Sequence, residues 1–387
     1  MSIYSGNPLT TTPGTLDQGP PEQYPPYDSN SYVRPDFTNV TITQRSGGPY
    51  PLSDLNMVSR PKDATQLDDI FYFKDYAGID QTIHTMDDGL NFFHEEFTSY
   101  HSQRGKIGHL FQRSKFGLYF GTFPRPDINR KEKKPNHGTM CASRAVGLQL
   151  GIGKNANLKL VPGIFDHPTY TWTLASFQTI VDDMKKIKDE KAKTHEVSIP
   201  VAYFSYAFSY GKPNGMHHSY LVDIARKFFR AMVELDAFIA VSAGNFDPAK
   251  EDGTRPEVDL WPALFADEKE FEANMLVVGS ANISGKLATY SKGGPLVKVL
   301  APIDLGLSGS PEESLCADSR NTGEYILDKG TSLAAPMVAG MAAYYLSILP
   351  ELRVPGGGRL VRKHILDTAY KRCQDADCLP VLYNGIS

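Results

Sequence analysis

Ser332 has the clearest potential for chemistry in this chain, because of the small residues around it. The sequence there is Gly330-Thr331-Ser332-Leu333-Ala334-Ala335-Pro336-Met337-Val338-Ala339-Gly340. Gly330 allows a tight turn and a close approach of substrate, and the run after Ser332 predicts a closely packed helix. Pro336 is tolerated only near the first turn, so Ser332 is expected at a helix N-terminus, where negative charge is favoured. These features predict a nucleophilic serine. The alternative is a buried helix with a serine cap.

Two other segments supply the groups that such a serine needs. His137 precedes Gly138 and Thr139 at a predicted loop-to-helix junction, and the β-like run Gln81-Thr82-Ile83-His84-Thr85-Met86 ends in Asp87-Asp88-Gly89. A serine hydroxyl becomes nucleophilic when an imidazole removes its proton, and a carboxylate orients that imidazole. The chain therefore offers acid, base and nucleophile in the order Asp87, His137, Ser332.

Asn245 follows a hydrophobic run, Ala237-Phe238-Ile239-Ala240-Val241, that predicts a buried strand ending in a turn at Gly244. A side-chain amide at this place can donate to an oxygen that becomes negative during acyl transfer. The second donor would be the backbone N–H of Ser332. The alternative is an ordinary turn asparagine that tolerates positive φ.

Taken in chain order, from Asp87 through His137 and Asn245 to Ser332, these four segments resemble those of the subtilisin-like serine peptidases, the subtilase or peptidase S8 family. The resemblance runs from about Asp87 to about Gly340. It implies that Asp87, His137 and Ser332 form the catalytic triad of an endopeptidase and that Asn245 belongs to the oxyanion hole. It also implies a polypeptide substrate and a subtilisin-like three-layer sandwich.

The resemblance further implies where the peptide binds. Subtilases add the peptide as a strand beside a Ser-x-Gly segment, which Ser205-Tyr206-Ala207 matches here, with Ser242-Ala243-Gly244 as the opposite wall. Ala207 replaces the family's glycine, which predicts a narrower first pocket. The alternative is that residues 205–207 are simply part of a core strand.

Strand and helix patterns alternate between about residues 80 and 350. Buried strands are predicted at 158–162, 197–204, 238–241 and 276–279, and helices at 177–188, 220–235 and 332–349. This alternation predicts an α/β fold with a mostly parallel central sheet and helices on both faces. Ligands bind at the carboxyl ends of the strands in such sheets, where Asp87 and Asn245 fall.

Residues 1–65 are rich in Pro, Gly, Ser, Thr and Tyr, which predicts an extended or disordered segment. Residues 66–387 are predicted to form one peptidase domain, with a C-terminal tail from about residue 350. Nothing in 1–65 resembles the folded propeptide of many subtilases. Together with Ala207, this keeps open a second function, that of a catalytically silent subtilase-like domain that binds or regulates.

Charge and metal-ligand patterns exclude several other functions. The net charge is −4, with charges of both signs interspersed and one short basic run at 129–135, so no nucleic-acid partner is expected. Neither His217-His218 nor His94-Glu95-Glu96 has the spacing of a zinc site. We expect no metal at the active site and no required cofactor. A structural calcium ion is left open, because Asn282 stands where an acidic ligand could be.

Four cysteines are too few for a disulfide-built scaffold. Cys373 and Cys378 are close enough to pair in an oxidising compartment, and Cys141, one turn after His137, is expected to be a structural thiol. No apolar run predicts a membrane span, and Met1-Ser2-Ile3-Tyr4-Ser5 does not open a signal peptide. The family implies secretion, with a cytoplasmic location as the alternative, and we expect a monomer.

Overall fold

The computed structural model describes residues 42–46, 51–61, 64, 67, 70–97, 107–109, 136–162, 170–207, 216–249, 254–307, 312–375 and 378–386. All of these lie in one structural unit, Val40–Ser387. Its helices are α1 (Ser53–Ser59), α2 (His137–Val146), α3 (Tyr170–Ala192), α4 (Met216–Glu234), α5 (Thr331–Ile348) and α6 (Gly357–Thr368). Two short 3-10 helices cover Ala263–Asp267 and Pro350–Leu352.

A nine-stranded sheet organises the described part of the chain. Its strands are β3 (Thr82–Asp87), β4 (Ile107–His109), β5 (Asn157–Pro162), β6 (Val201–Phe204), β7 (Phe238–Ser242), β8 (Met275–Ala281), β9 (Val297–Pro302), β12 (Tyr370–Lys371) and β13 (Pro380–Val381). Their order is β12-β13-β9-β8-β7-β6-β3-β5-β4, and every neighbouring pair is parallel except β12 with β13. Two antiparallel strand pairs of the described residues lie outside it, β1 (Ile42–Ser46) with β2 (Ile70–Lys74) and β10 (Ser314–Ala317) with β11 (Tyr325–Asp328).

Strands β6, β7 and β8 are buried on both faces, and each carries a continuous apolar run. Phe238 and Ala240 of β7 pack into one hydrophobic cluster with α1, α2, α5 and α6. Ile239 and Val241, which point the other way, pack into a second cluster with α3, α4 and residues 263–267. This is the mostly parallel three-layer α/β sandwich that the sequence predicted, and the predicted strands and helices all occur with shifted ends.

Strand order places the ends of β3, β6 and β7 beside each other. The chain goes from β3 to β5 on one side of β3 and then to β6 on its other side. This reversal is a topological switch point, where the loops after neighbouring strands diverge and leave a crevice at their carboxyl ends. Asp87 ends β3, Ser205 follows β6, and Asn245 follows β7 at this same edge.

Part of the segment predicted to be extended or disordered is folded. Residues 53–59 form α1, and Leu55 and Val58 are fully buried in the cluster that contains α5. Asp54 is also fully buried and forms an ion pair of 2.5 Å with the equally buried Arg144 of α2. The prediction for 1–65 is therefore wrong for residues 51–61, because the composition of the whole segment concealed four apolar residues that become buried, Leu52, Leu55, Met57 and Val58. Residues 1–41 lie outside the described residues.

The chain beyond residue 350 is part of the domain and not a tail on its surface. Val361 and Ile365 of α6 are buried in the core. Val381 of β13 pairs with Leu300 and so extends the central sheet. Cys373 and Cys378 form the disulfide that their spacing allowed.

Helix α5 runs through the core. Among the described residues it is the helix that is long and apolar enough to cross a membrane, yet 89% of it is buried inside the protein. Its small side chains allow unusually close packing: a Cβ on Gly340 would lie 2.6 Å from the carbonyl oxygen of Ala145 in α2. The close packing that the sequence predicted therefore brings the helices that carry His137 and Ser332 together.

Candidate active site

The acid and the base predicted from the sequence are in direct contact. Asp87 is fully buried at the end of β3, and His137 is the first residue of α2. The Nδ1–H of His137 donates to Asp87 Oδ1 at 2.8 Å, while the imidazole remains 35% exposed at the crevice. This is the arrangement in which a carboxylate fixes the tautomer of an imidazole and leaves Nε2 free to accept a proton.

Asp88 holds the start of α2 in place, a role that the sequence analysis missed. Its Oδ2 accepts the backbone N–H of His137 at 2.9 Å, and its Oδ1 accepts that of Gly138 at 2.7 Å. Asn136 adds the usual cap, since its Oδ1 accepts the N–H of Thr139 at 3.0 Å. The sequence signal for this role was the second carboxylate directly after Asp87, because acidic groups are favoured at helix N-termini.

The pKa values of these groups are shifted by burial and by each other's charge. Burial and the neighbouring Asp87 charge raise the pKa of Asp88 from its ordinary 3.8 to about 6. Burial lowers the pKa of His137, but the Asp87 charge and hydrogen bond outweigh it, so the pKa ends well above its ordinary range. The buried carboxylate stabilises the imidazolium that forms when His137 accepts a proton, and the raised pKa means that the imidazole becomes a neutral general base only at higher pH.

Cys141 lies next to the imidazole without being its chemical partner. Its Sγ is 3.7 Å from both ring nitrogens. A sulfur equidistant from Nδ1 and Nε2 cannot lie along the in-plane lone pair of either. Burial raises the pKa of this thiol to about 11, so it stays protonated. Asp87, His137 and Cys141 bring ligand-type atoms within 4.8 Å, but Nδ1 is already bonded to Asp87, and the geometry is poor for a metal ion.

His94 is equally unsuited to a metal. Its Nε2–H donates to the carbonyl oxygen of Glu324 at 2.8 Å, and its Nδ1 accepts the N–H of Glu96 at 3.1 Å. Both ring nitrogens are used within the protein, and the side chain is fully buried. His94 is therefore a structural residue that joins the loop after β3 to the turn between β10 and β11.

Ser332 is the second residue of α5 and is half-buried at the same edge of the sheet. Asn245 is hydrogen-bonded to Thr331, the residue before Ser332. Asn245 Oδ1 accepts both the N–H of Thr331 at 2.9 Å and its hydroxyl at 3.1 Å. The Thr331 hydroxyl in turn accepts the N–H of Gly244 at 3.0 Å. Because the amide oxygen is engaged on α5, the amide nitrogen of Asn245 is directed to another side.

The space beside Gly330 is where the polar groups converge. Gly330 has φ 147°, a conformation that favours glycine. A Cβ at this position would lie 3.0 Å from Ser332 Oγ, 3.2 Å from Asn245 Nδ2 and 3.8 Å from the backbone nitrogen of Ser332. One small space is thus bordered by a hydroxyl and two N–H donors, which is the donor set that a tetrahedral oxyanion needs.

The serine and the histidine are linked through one intermediate contact. The Sγ–H of Cys141, 3.7 Å from the His137 ring, donates to the carbonyl oxygen of Ser332 at 3.2 Å. The imidazole of His137 is hydrogen-bonded to the carboxylate of Asp87. Cys141 therefore contacts both the His137 ring and the Ser332 backbone at the α2–α5 contact, while no hydrogen bond among the described residues joins the Ser332 hydroxyl to the imidazole.

The two predicted substrate segments leave the sheet side by side. β6 and β7 are parallel, with Phe204 opposite Val241, so residues 205–207 and 242–244 follow neighbouring strands. Ser205, Ser242 and Ala243 are buried, Tyr206 and Gly244 are half-buried, and Ala207 is exposed. Residues 205–207 lie beyond the end of β6 and are not core-strand residues. Their role in binding peptide remains a prediction.

Comparison with known proteins shows the family of the chain. A sequence model of the subtilase family matches residues 78–380, and the chain belongs to that family of serine peptidases. Subtilase-type proteinase psp3 of Schizosaccharomyces pombe is 26% identical over 325 residues, which cover 83% of this chain and 58% of that protein. Subtilisin-like proteinase Mp1 of Magnaporthiopsis poae is 24% identical over 350 residues, covering 89% of this chain and 72% of that protein. The chain thus spans less than two thirds of the first relative.

A solved structure shares the fold. The crystal structure of a cold adapted subtilisin-like serine proteinase matches with a TM-score of 0.59 and 19% identity, covering 86% of this chain and 98% of that chain. At this identity, the likeness shows that the architecture is subtilisin-like.

Proposed function

We propose that this protein is a serine endopeptidase that acts through Asp87, His137 and Ser332. The hydrogen bond of 2.8 Å between Asp87 and His137 is the observation that supports this most directly. The grouping of Ser332 Oγ and two N–H donors beside Gly330 supports it further. A structural cap on a helix would need neither arrangement.

In the proposed reaction, His137 Nε2 takes the proton of the Ser332 hydroxyl as Oγ forms a bond to the scissile carbonyl carbon. The carbonyl oxygen becomes an oxyanion and accepts hydrogen bonds from Asn245 Nδ2 and the Ser332 N–H. The C–N bond then breaks as His137 returns the proton to the leaving amine. A water molecule attacks the acyl-enzyme by the same steps and releases the second product. This reaction uses the chain's own residues, with no cofactor.

The proposal requires the Ser332 hydroxyl to reach the imidazole when substrate is bound. Catalytic hydrogen bonds are often long before substrate binds and shorten in the reactive complex. The peptide would lie as an added strand between residues 205–207 and 242–244, with its scissile carbonyl beside Gly330. Ala207 is exposed at this place, and its methyl group would restrict the first side-chain pocket.

A catalytically silent binding or regulatory domain is the second candidate. Among the hydrogen bonds of the described residues, none joins the Ser332 hydroxyl to the imidazole of His137, and this favours the silent domain. A fluorophosphonate probe distinguishes the two candidates, because it forms a covalent bond only with an activated serine. Labelling of the wild type, with none in Ser332→Ala and strongly reduced labelling in His137→Ala, supports the peptidase. A folded wild type that neither reacts nor cleaves casein supports the silent domain.

We also propose that the protein acts as a secreted monomer. The disulfide between Cys373 and Cys378 supports an oxidising compartment. Thiol labelling of protein taken from its own host tests this. Secretion predicts that Cys373 and Cys378 resist an alkylating reagent until a reductant is added, whereas reaction without a reductant would argue for the cytoplasm. Size-exclusion chromatography with light scattering tests the monomer.

A further inference from the structure

Pro336 creates a gap in the hydrogen bonding of the nucleophile's own helix. It is the sixth residue of α5, one turn further into the helix than the sequence analysis allowed. In an α-helix, the N–H of residue 336 would donate to the carbonyl oxygen of residue 332. Proline has no N–H, so the Ser332 carbonyl loses its helical donor. A buried carbonyl in this position needs another partner.

Ser205 supplies that partner from a different part of the chain. Its hydroxyl, which is 4% exposed, donates to the Ser332 carbonyl oxygen at 2.7 Å, the best distance for an O–H···O hydrogen bond. The thiol of Cys141 donates to the same oxygen at 3.2 Å, but a thiol is a weak donor. The main restraint on the Ser332 carbonyl is therefore a side chain that lies 127 residues earlier in the sequence.

We propose that the Ser205 side chain is a positioning residue for Ser332. It holds the first turn of α5 against the end of β6, and so fixes the backbone from which the nucleophile and its N–H project. This goes beyond the substrate-binding role of the Ser205 main chain and rests on the proposed peptidase function. The hydrogen bond from Ser205 also joins the segment proposed to bind peptide to Ser332, the residue proposed to attack that peptide.

Pro336 provides a sharp test, because alanine at this position restores the missing N–H. We expect Ser205→Ala to lower kcat by about tenfold to a hundredfold with little change in KM, since the buried carbonyl then keeps only the weak thiol donor of Cys141. Ser205→Thr keeps a hydroxyl and should retain most of the activity. Pro336→Ala should be close to wild type. The double variant Ser205→Ala/Pro336→Ala should recover most of the lost kcat, because residue 336 then donates to the Ser332 carbonyl.

Each result decides the proposal. A fully active Ser205→Ala, or a loss of kcat that Pro336→Ala does not restore in a folded protein, would overturn it. If the wild type does not react with a fluorophosphonate, the peptidase function fails, but the positioning contact is still measurable. The same four variants are then compared by urea unfolding on a Ser332→Ala background. A destabilisation by Ser205→Ala that Pro336→Ala does not reduce would overturn the contact itself.

Discussion

Asp88→Asn tests the structural account of how His137 is held, and it has an unusual expected outcome. The Asp88 carboxylate accepts two backbone N–H groups at the start of α2, yet it is largely buried beside the Asp87 charge. Those N–H groups lower its pKa, but burial and Asp87 raise it more, from 3.8 to about 6. The ionised Asp88 carboxylate therefore lowers the free energy of unfolding.

The magnitude follows from the linkage between protonation and folding. A folded-state pKa of about 6 against 3.8 means that the native state binds a proton more tightly than the unfolded chain. The cost of the carboxylate is absent below pH 3.8, grows as the pH rises towards 6, and is complete above it. At 1.36 kcal/mol per pKa unit it amounts to about 3 kcal/mol. Asparagine resembles the protonated acid, so Asp88→Asn should stabilise the protein by up to about 3 kcal/mol at pH 8.

Activity should change in the opposite direction. The Nδ2 group of asparagine cannot accept an N–H, so one of the two hydrogen bonds to the start of α2 is lost and His137 is held less firmly. We expect a lower kcat together with a higher free energy of unfolding. A cap whose only role is structural would lower stability when it is lost, so the two effects are distinguishable.

The assay is urea unfolding on a Ser332→Ala background, which avoids self-digestion, at several values from pH 4 to pH 8. Asp189→Asn on α3 is the matched control, because that carboxylate is exposed. The stability difference between Asp88→Asn and its parent should grow between pH 4 and pH 6, while the control stays flat. A difference that is constant with pH, or a destabilised variant at pH 8, would refute the reasoning.

Further measurements test other parts of the structure. Asn245→Ala should lower kcat by about 10²–10³, the loss known for the oxyanion asparagine of subtilisin, and unchanged kcat would remove Asn245 from the oxyanion site. The raised pKa of His137 predicts that kcat/KM increases with pH through a value above 6.5, because only the neutral imidazole accepts a proton; a profile flat from pH 6 to 8 would contradict this. Asp54→Ala should destabilise the protein by about 3–5 kcal/mol in urea unfolding, because it leaves Arg144 buried without its partner. Asp367→Ala, from a surface pair, should change stability by less than about 1 kcal/mol, and equal effects would argue against burial as the cause.

The sequence predicted the central part of the fold because its signals are local. Runs rich in apolar residues marked β5, β7 and β8, and periodic runs marked α3, α4 and α5. Prediction from the sequence was less successful where composition was averaged over a long segment. Helix α1 was missed inside a proline-rich region, although Leu55 and Val58 are fully buried. The C-terminal strand β13 is too short to have a period, and it is stabilised by pairing with β9.

The chain by itself determined which residues could do chemistry. A glycine turn, a strand end and a run of small side chains are encoded within a few residues of Asp87, His137, Asn245 and Ser332, so each could be identified without its neighbours. The tertiary structure decided how these residues are held. The two bonds from Asp88 to α2 and the bond from Ser205 to the Ser332 carbonyl join residues 49 to 127 positions apart. No local pattern encodes such contacts, because they exist only once the strands and helices have packed.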